Sequence, residues 1–137
     1  GELETMSLSE YVSTVCDQLE LLRKLKELGK PVVTVLIGGR PYEMGAIDAD
    51  SDAILCAFYP GLTGGEALAK LIFGAAEPAG RLPVSMPDHV GQLPVYYNHF
   101  STGRPFQNKV WYESKYMDLD PTPAYPFGYG LTYTTFT

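Results

Sequence analysis

Six consecutive residues decide the fold: Val32-Val33-Thr34-Val35-Leu36-Ile37. All are apolar or β-branched, and they lack the alternation of a strand that has one face in water. A continuous run of this kind is typical of a parallel strand that is covered on both faces. Residues 53–59 repeat the pattern after a short link that we predict to be helical. The sequence therefore predicts two buried parallel strands.

Helical patterns lie on either side of these strands. Ser7-Leu8-Ser9-Glu10 has the form of a capping box, and Gly29 and Pro31 stop the helix that it begins. Between these signals, apolar residues recur at helical spacing: Val12, Val15, Cys16, Leu19, Leu22 and Leu25. A glycine-rich loop and a helix over residues 66–73 follow the second strand. This βαβ order predicts an α/β fold with a mostly parallel sheet and a right-handed crossover.

The C-terminal part of the chain loses this periodicity. Residues 88–125 are rich in Pro, Gly, Asn and aromatic residues, which predicts a long ordered loop with a short hairpin around residues 110–117. The chain then reads Pro126-Phe127-Gly128-Tyr129-Gly130-Leu131-Thr132-Tyr133-Thr134-Thr135-Phe136. Aromatic and β-branched residues interleaved with glycine predict a final strand that lies close to another backbone.

Composition limits the classes of partner. The 137 residues carry a formal net charge of −6, which disfavours a nucleic-acid partner because phosphate binding requires a basic surface. No apolar run approaches the roughly 20 residues that cross a bilayer, so no membrane partner is expected. Cys16 and Cys56 lack the spacing of a metal site. We therefore expect no metal or cofactor, and the length of the chain predicts one domain, or part of one, over residues 1–137.

Two alternative functions have partial support in the sequence. Ser85, Asp88, His89 and His99 supply the side-chain types of a hydrolytic triad, but no GxSxG elbow accompanies them. Gly61-Leu62-Thr63-Gly64-Gly65 precedes a helix, but it lacks the GxGxxG spacing and the Lys and Ser/Thr of a phosphate-binding loop. Neither a serine hydrolase nor a flavodoxin-like nucleotide binder is favoured.

Four motifs occur in an order that resembles a known family. They are Lys30-Pro31-Val32-Val33-Thr34-Val35-Leu36-Ile37-Gly38-Gly39-Arg40-Pro41, Tyr59-Pro60-Gly61-Leu62-Thr63-Gly64-Gly65-Glu66-Ala67, Pro78-Ala79-Gly80-Arg81-Leu82-Pro83-Val84-Ser85-Met86-Pro87, and the aromatic C-terminal stretch. Together they resemble the C-terminal α/β sandwich domain of glycoside hydrolase family 3, the β-glucosidases and their relatives. The resemblance implies a three-layer α/β/α sandwich, of which this chain is the C-terminal portion.

Glycosidases generally use two carboxylates, one as general acid/base and one as nucleophile or base. In the family that this chain resembles, the nucleophilic aspartate belongs to an N-terminal (β/α)8 barrel with no counterpart here. The general acid/base of many members is a glutamate in a Ser-Gly-Glu-type loop, and Gly1-Glu2 resembles the end of that loop. The arginine that often follows this glutamate is missing here, as is a proline of the next helix. Glu4 is therefore an alternative to Glu2, and a purely structural role for both stays open.

The loop predicted over residues 88–125, called the aromatic loop from here on, supplies candidate substrate-binding residues. Gly91-Gln92-Leu93-Pro94-Val95-Tyr96-Tyr97-Asn98-His99 and Ser101-Thr102-Gly103-Arg104-Pro105-Phe106 resemble a stretch of bacterial periplasmic-type β-glucosidases. Aromatic rings stack on the apolar face of a pyranose, and Arg and Asn bind hydroxyl groups. We expect Tyr97, Asn98 and Arg104 to contact the sugar, although packing of the loop explains each of them equally well.

These observations favour part of a retaining β-glucosidase that removes terminal β-linked glucose or a related sugar. The chain would supply the acid/base loop and part of the substrate cleft, would need the N-terminal barrel domain of the same protein, and would be inactive alone. The resemblance favours a periplasmic or secreted location. An exposed sheet edge would promote a homodimer. The alternative is a non-catalytic glycan-binding or scaffold module.

Overall fold

A computed structural model describes residues 8–100, 103–107, 111–115 and 118–135, and describes the side chains from residue 17 onward. The elements are α1 (Leu8–Glu27), β1 (Val33–Ile37), α2 (Gly45–Ala49), β2 (Ala53–Phe58), α3 (Gly64–Ile72) and a 3-10 turn, Val90–Gln92. β1 and β2 form a two-stranded parallel sheet. The predicted α/β class, both strands, both helices and the helical link are confirmed.

The chain divides into two compact units. One contains residues 1–36 and 46–55, and the other contains residues 37–45 and 56–137. The three-layer arrangement of the whole domain stays a prediction.

In the first unit, one carboxylate joins the end of α1 to the sheet. Asp52 accepts hydrogen bonds from Lys26 Nζ and from the Val32 backbone N–H, both at 2.8 Å. The Lys26 hydrogen bond, followed by that from Val32, holds the pKa of Asp52 below its ordinary value. α1 itself ends at Glu27, because Gly29 adopts a left-handed φ of 65° that does not continue a helix.

The carboxyl ends of the strands lie in the second unit. Gly38 N–H donates to Phe58 O at 3.0 Å, which continues the pairing beyond β1. Phe58 has a φ of 50°, a left-handed conformation that is costly for an aromatic residue. A Cβ on Gly39 would lie 2.6 Å from the ring of Tyr59, so this backbone passes directly against the ring. The glycines after β1 therefore permit this close approach.

The predicted final strand is wrong as a regular strand. Residues 126–135 contain no strand, although the backbone of residues 126–130 does lie close to another segment as expected. Met86 and Tyr125 form an isolated antiparallel bridge, and Leu82 exchanges hydrogen bonds of 2.8 Å with Gly128 and Tyr129. Gly128 has a φ of 82°, and this turn breaks the ladder after one bridge.

The C-terminal segment is anchored to α3 and the residues after it. Tyr133 Oη donates to Leu71 O at 2.8 Å, and Thr134 N–H donates to Glu77 Oε1 at 2.9 Å. The Thr134 hydroxyl donates to the same carboxylate oxygen. These Thr134 hydrogen bonds hold the pKa of Glu77 below its ordinary value, the side-chain bond contributing most.

The expectation of fully covered strands is also wrong. Ile37 is 59% exposed, and no residue of either strand is fully buried. Among the described side chains, the two large apolar ones that are buried are Met44 and Met86, each 1% exposed. Both lie outside the sheet, where Met44 N–H donates to Pro87 O at 3.1 Å. Side chains of a strand point to the two faces of its sheet, so this partial burial means that the described residues do not fully cover either face.

The aromatic loop is confirmed as a long irregular segment with one 3-10 turn in its described part. Its predicted hairpin is not present in residues 111–115, which form turns and bends, and residues 110, 116 and 117 lie outside the described residues.

Candidate functional site

Gln92 organises the first part of the aromatic loop. Its side chain is 1% exposed, and its Oε1 accepts hydrogen bonds from Asp88 N–H at 2.7 Å and His89 N–H at 3.4 Å. Its Nε2 donates to Asp120 O at 2.6 Å and to Thr122 O at 3.1 Å. One amide thus joins two loop segments that are far apart in the sequence. A buried amide with this many partners fixes backbone geometry.

The sequence did not single out Gln92 as an organising residue. Periodicity gives no signal for a buried polar side chain in an irregular segment, because the partners are backbone groups brought together only by the fold.

The side chains of the candidate serine hydrolase triad do not assemble. Ser85 is buried, and its hydroxyl accepts a hydrogen bond from Phe127 N–H at 3.1 Å. His89 lies instead between two carboxylates, with Nδ1 3.5 Å from Glu43 Oε1 and Nε2 3.3 Å from Asp88 Oδ2. The ring nitrogens of His89 are thus occupied by carboxylates, and Ser85 serves the backbone. This arrangement does not provide an activated serine.

Tyr97 and Asn98, two of the predicted sugar-binding residues, follow the 3-10 turn Val90–Gln92 in the sequence. The Tyr97 ring stacks on Phe127, with centroids 5.1 Å apart and an interplanar angle of 30°. The Tyr97 side chain is nevertheless 71% exposed, so most of it faces water. Asn98 is also exposed beside it in the sequence. An aromatic ring supported from one side and exposed elsewhere is suited to stacking on an apolar ligand face.

The third predicted residue, Arg104, belongs to a separate aromatic group. Its guanidinium carbon lies 5.3 Å from the centroid of the Tyr112 ring, within cation–π distance. Tyr112 in turn contacts Trp111 edge to face, with centroids 5.6 Å apart and an angle of 85°. Arg104 is itself exposed. The structure thus places all three predicted sugar-binding residues on exposed parts of the aromatic loop, and no direct contact joins Tyr97 to Arg104 among the described contacts.

The candidate acid/base residues Glu2 and Glu4 lie outside the described residues. Of the described acids, Glu66 pairs with Lys70 at 2.6 Å on the exposed surface of α3. This pair borders an open depression of about 360 Å³ that is lined by residues of α3 and its flanks. Glu66 is therefore an exposed carboxylate that already pairs with a lysine, and it does not lie in an enclosed apolar pocket of the kind that holds a glycosidase proton donor.

Within the described ranges, no three His, Cys, Asp or Glu side chains are placed to hold a metal ion together. No helix among the described residues is long and apolar enough to cross a membrane.

Comparison with known proteins gives consistent matches. The family model for the glycosyl hydrolase family 3 C-terminal domain matches residues 3–133. A periplasmic β-glucosidase from Salmonella typhimurium is 50% identical over 124 residues, which are 88% of this chain and 16% of that protein. A β-xylosidase from Formosa agariphila is 40% identical over 123 residues, covering 87% of this chain and 16% of that protein.

A solved structure matches as well. The crystal structure of a β-glucosidase from Listeria innocua in complex with glucose superimposes with a TM-score of 0.80 and 44% identity. The match covers 85% of this chain and 16% of that one. The chain therefore spans about a sixth of the length of the relatives that it matches.

Proposed function

Because this chain belongs to the family of glycosyl hydrolase family 3 C-terminal domains, we propose that it is part of a retaining β-glucosidase. The intact enzyme removes terminal β-linked glucose or a related sugar. The observation that carries this proposal is the 50% identity to a periplasmic β-glucosidase over 88% of the chain. The chain supplies the acid/base loop and part of the substrate cleft, and a barrel domain of the same protein supplies the nucleophile. Alone, the chain is inactive.

The proton donor in this proposal is Glu2, with Glu4 as the alternative. A retaining enzyme needs one carboxylic acid that protonates the leaving oxygen. The same residue, now a carboxylate, then acts as the base toward water. Glu2 is favoured by its place in a Gly-Glu sequence ahead of α1. Other acids are less suitable because they form ion pairs on the exposed surface. Glu20 pairs with Lys24, and Glu66 pairs with Lys70.

The sugar-binding residues in this proposal are Tyr97, Asn98 and Arg104. Support comes from the exposed Tyr97 ring, which Phe127 backs from one side. Arg104 and Asn98 provide hydrogen-bond donors suited to sugar hydroxyls. The rigid placement of this loop rests on the buried Gln92, which ties its start to Asp120 and Thr122.

Azide rescue tests the role of Glu2. In a protein that joins this chain to its barrel domain, Glu2→Ala should slow hydrolysis of the glycosyl-enzyme that forms from 2,4-dinitrophenyl β-glucoside, because the base that activates the attacking water is lost. Azide needs no general base, so it should restore turnover and yield β-glucosyl azide with retained configuration. The matched variant Glu4→Ala should keep wild-type turnover and show no azide effect. An unaffected Glu2→Ala enzyme would refute the assignment, and rescue of Glu4→Ala instead would transfer the role to Glu4.

We further propose a periplasmic or secreted location, which the periplasmic relative supports. A homodimer through the exposed sheet edge is also proposed, supported by the two-stranded sheet of the described residues, in which each strand pairs on one side only. Light scattering tests the dimer, and a monodisperse monomer across micromolar concentrations would exclude it.

Complete absence of turnover in the joined protein, together with retained glycan binding, would favour the non-catalytic module instead.

A further inference from the structure

Ser85 is a buried serine to which the proposed function gives no role. Its side chain is 4% exposed, and its hydroxyl oxygen accepts a hydrogen bond from the Phe127 backbone N–H at 3.1 Å. Serine is mostly exposed in proteins, and a buried hydroxyl group is costly unless it has a hydrogen-bond partner. The partner of Ser85 lies 42 residues further along the chain. Ser85 therefore joins two segments that only the fold brings together.

The Ser85 hydroxyl takes part where the backbone pairing of these two segments is interrupted. On one side, Met86 belongs to the isolated antiparallel bridge, and on the other side Gly128 N–H donates to Leu82 O at 2.8 Å. Between these contacts, Phe127 N–H bonds to the Ser85 side chain rather than to a carbonyl group of the facing segment. A backbone N–H needs an acceptor wherever water is excluded from it. Ser85 thus fixes the backbone of Phe127.

Phe127 carries this anchoring to one of the predicted sugar contacts. Its ring stacks on the Tyr97 ring, with centroids 5.1 Å apart and an interplanar angle of 30°. Aromatic pairs at this separation attract each other and prefer defined relative orientations. The orientation of the exposed Tyr97 ring therefore depends on where the Phe127 backbone is held.

We propose that Ser85 is a positioning residue for substrate binding: it holds the Phe127 backbone, and the Phe127 ring holds the Tyr97 ring in the orientation that stacks on the sugar. This proposal rests on the proposed function and names what keeps one of its sugar contacts in place. A ring that is already held in its binding orientation loses little conformational freedom when the ligand arrives, which favours affinity. Because Ser85 is buried, it acts through these two rings and does not touch the sugar.

NMR of the 137-residue chain tests this link without any catalytic step. The ring protons of Tyr97 and Phe127 should give a nuclear Overhauser effect, since the ring centroids lie 5.1 Å apart. Ser85→Ala should abolish this effect, because Phe127 N–H loses its acceptor. The matched control is Ser51→Ala, which removes a hydroxyl group 2.7 Å from Thr34 Oγ1 in the first unit and should leave the effect unchanged. A ring–ring effect that persists in Ser85→Ala would overturn the proposal.

Kinetics of the protein that joins this chain to its barrel domain test the role in binding. Ser85→Ala should raise KM for an aryl β-glucoside about fivefold, the equivalent of one hydrogen bond. The stacking contact is the same before and during the reaction, so kcat should change less than about twofold. Ser85→Cys keeps a side chain of similar size with a weaker acceptor, and it should raise KM by less than Ser85→Ala.

A double-mutant cycle shows whether Ser85 acts through Tyr97. Tyr97→Ala alone should raise KM about tenfold. The double variant should match Tyr97→Ala and not reach about fiftyfold, because the ring through which Ser85 acts is already gone. Phe127→Leu removes the supporting ring but keeps the backbone N–H, and it should raise KM and be equally non-additive with Tyr97→Ala.

Three results would overturn the role of Ser85. They are a KM that stays unchanged in both Ser85 variants as in Ser51→Ala, multiplicative effects of Ser85→Ala and Tyr97→Ala, and a Phe127→Leu enzyme with the native KM. Absence of hydrolysis in the unmodified joined protein would refute the proposed function, whereas these three results appear only in variants of an active enzyme.

Discussion

Replacement of Gln92 by leucine should destabilise the protein by about 3 kcal/mol. Three of its hydrogen bonds are well formed, at 2.7 Å from Asp88 N–H, 2.6 Å to Asp120 O and 3.1 Å to Thr122 O. Each contributes about 1 kcal/mol net, and the 3.4 Å contact to His89 is counted as nothing. Leucine has a similar volume, so the cavity contribution is small. The expected fall in Tm is about 10 °C.

Urea denaturation followed by far-UV circular dichroism measures this loss, with Gln18→Leu as the matched control. Gln18 lies exposed on α1, so the same chemical change should alter the free energy of unfolding by less than about 0.5 kcal/mol there. Gln92→Glu keeps the acceptor for Asp88 but places a carboxylate against the carbonyls of Asp120 and Thr122. Its destabilisation should therefore shrink as the pH is lowered and the carboxyl group gains a donor proton. A loss at Gln92 equal to that at Gln18 would refute the reasoning.

Two further changes test the anchoring of the C-terminal segment. Glu77→Gln should lower the Tm at pH 7, because the Glu77 carboxylate accepts both Thr134 hydrogen bonds and has a depressed pKa. That stabilisation is fully present above the ordinary pKa of 4.5 and fades as the pH falls through the lower folded pKa, so the two Tm curves should merge in acid. A Tm difference that persists unchanged in acid would contradict this role. Gly130→Ala should cost about 1–3 kcal/mol by calorimetry, because its Cβ would lie 2.8 Å from the Gly80 carbonyl oxygen. Gly103→Ala meets nothing within 4 Å and should be neutral, so equal losses at both glycines would be the contrary result.

The regular elements follow from local sequence signals. The apolar run before Gly38 predicts β1, and Gly29 predicts the end of α1 through its left-handed conformation. Such signals act over a few residues, so they can be recognised without knowledge of the fold. The burial of β1 cannot be predicted from neighbouring residues, because it depends on what covers each face of the strand. The sequence pattern predicts full coverage, whereas the structure shows partial burial.

The aromatic C-terminal stretch shows a different limit. Its composition predicts a strand, yet the chain turns at Gly128. Leu82 N–H donates to Tyr129 O, and Gly128 N–H donates to Leu82 O. β-propensity describes residues that fit a pleated surface, but the fold decides whether a neighbouring strand is present. The close backbone approach at Gly130 was nevertheless correctly predicted from glycine, because removing Cβ is what permits it.

Some residues of the candidate site can be predicted from the sequence, and others become apparent only in the fold. Residue type and resemblance predict Tyr97 and Arg104 as sugar contacts, and the structure places both on the exposed surface of the aromatic loop. The sequence does not predict the role of Gln92, because its side-chain amide bonds to backbone groups of Asp88, His89, Asp120 and Thr122, which no pattern in the sequence identifies.

The measurement that tests the central claim most directly is proton NMR of the first product formed from an aryl β-glucoside by the protein that joins this chain to its barrel domain. A retaining enzyme with Glu2 as acid/base should release β-glucose first, and Glu2→Ala with azide should release β-glucosyl azide. Initial release of α-glucose, or a Glu2→Ala enzyme that turns over like the native one without forming the azide, would contradict the claim.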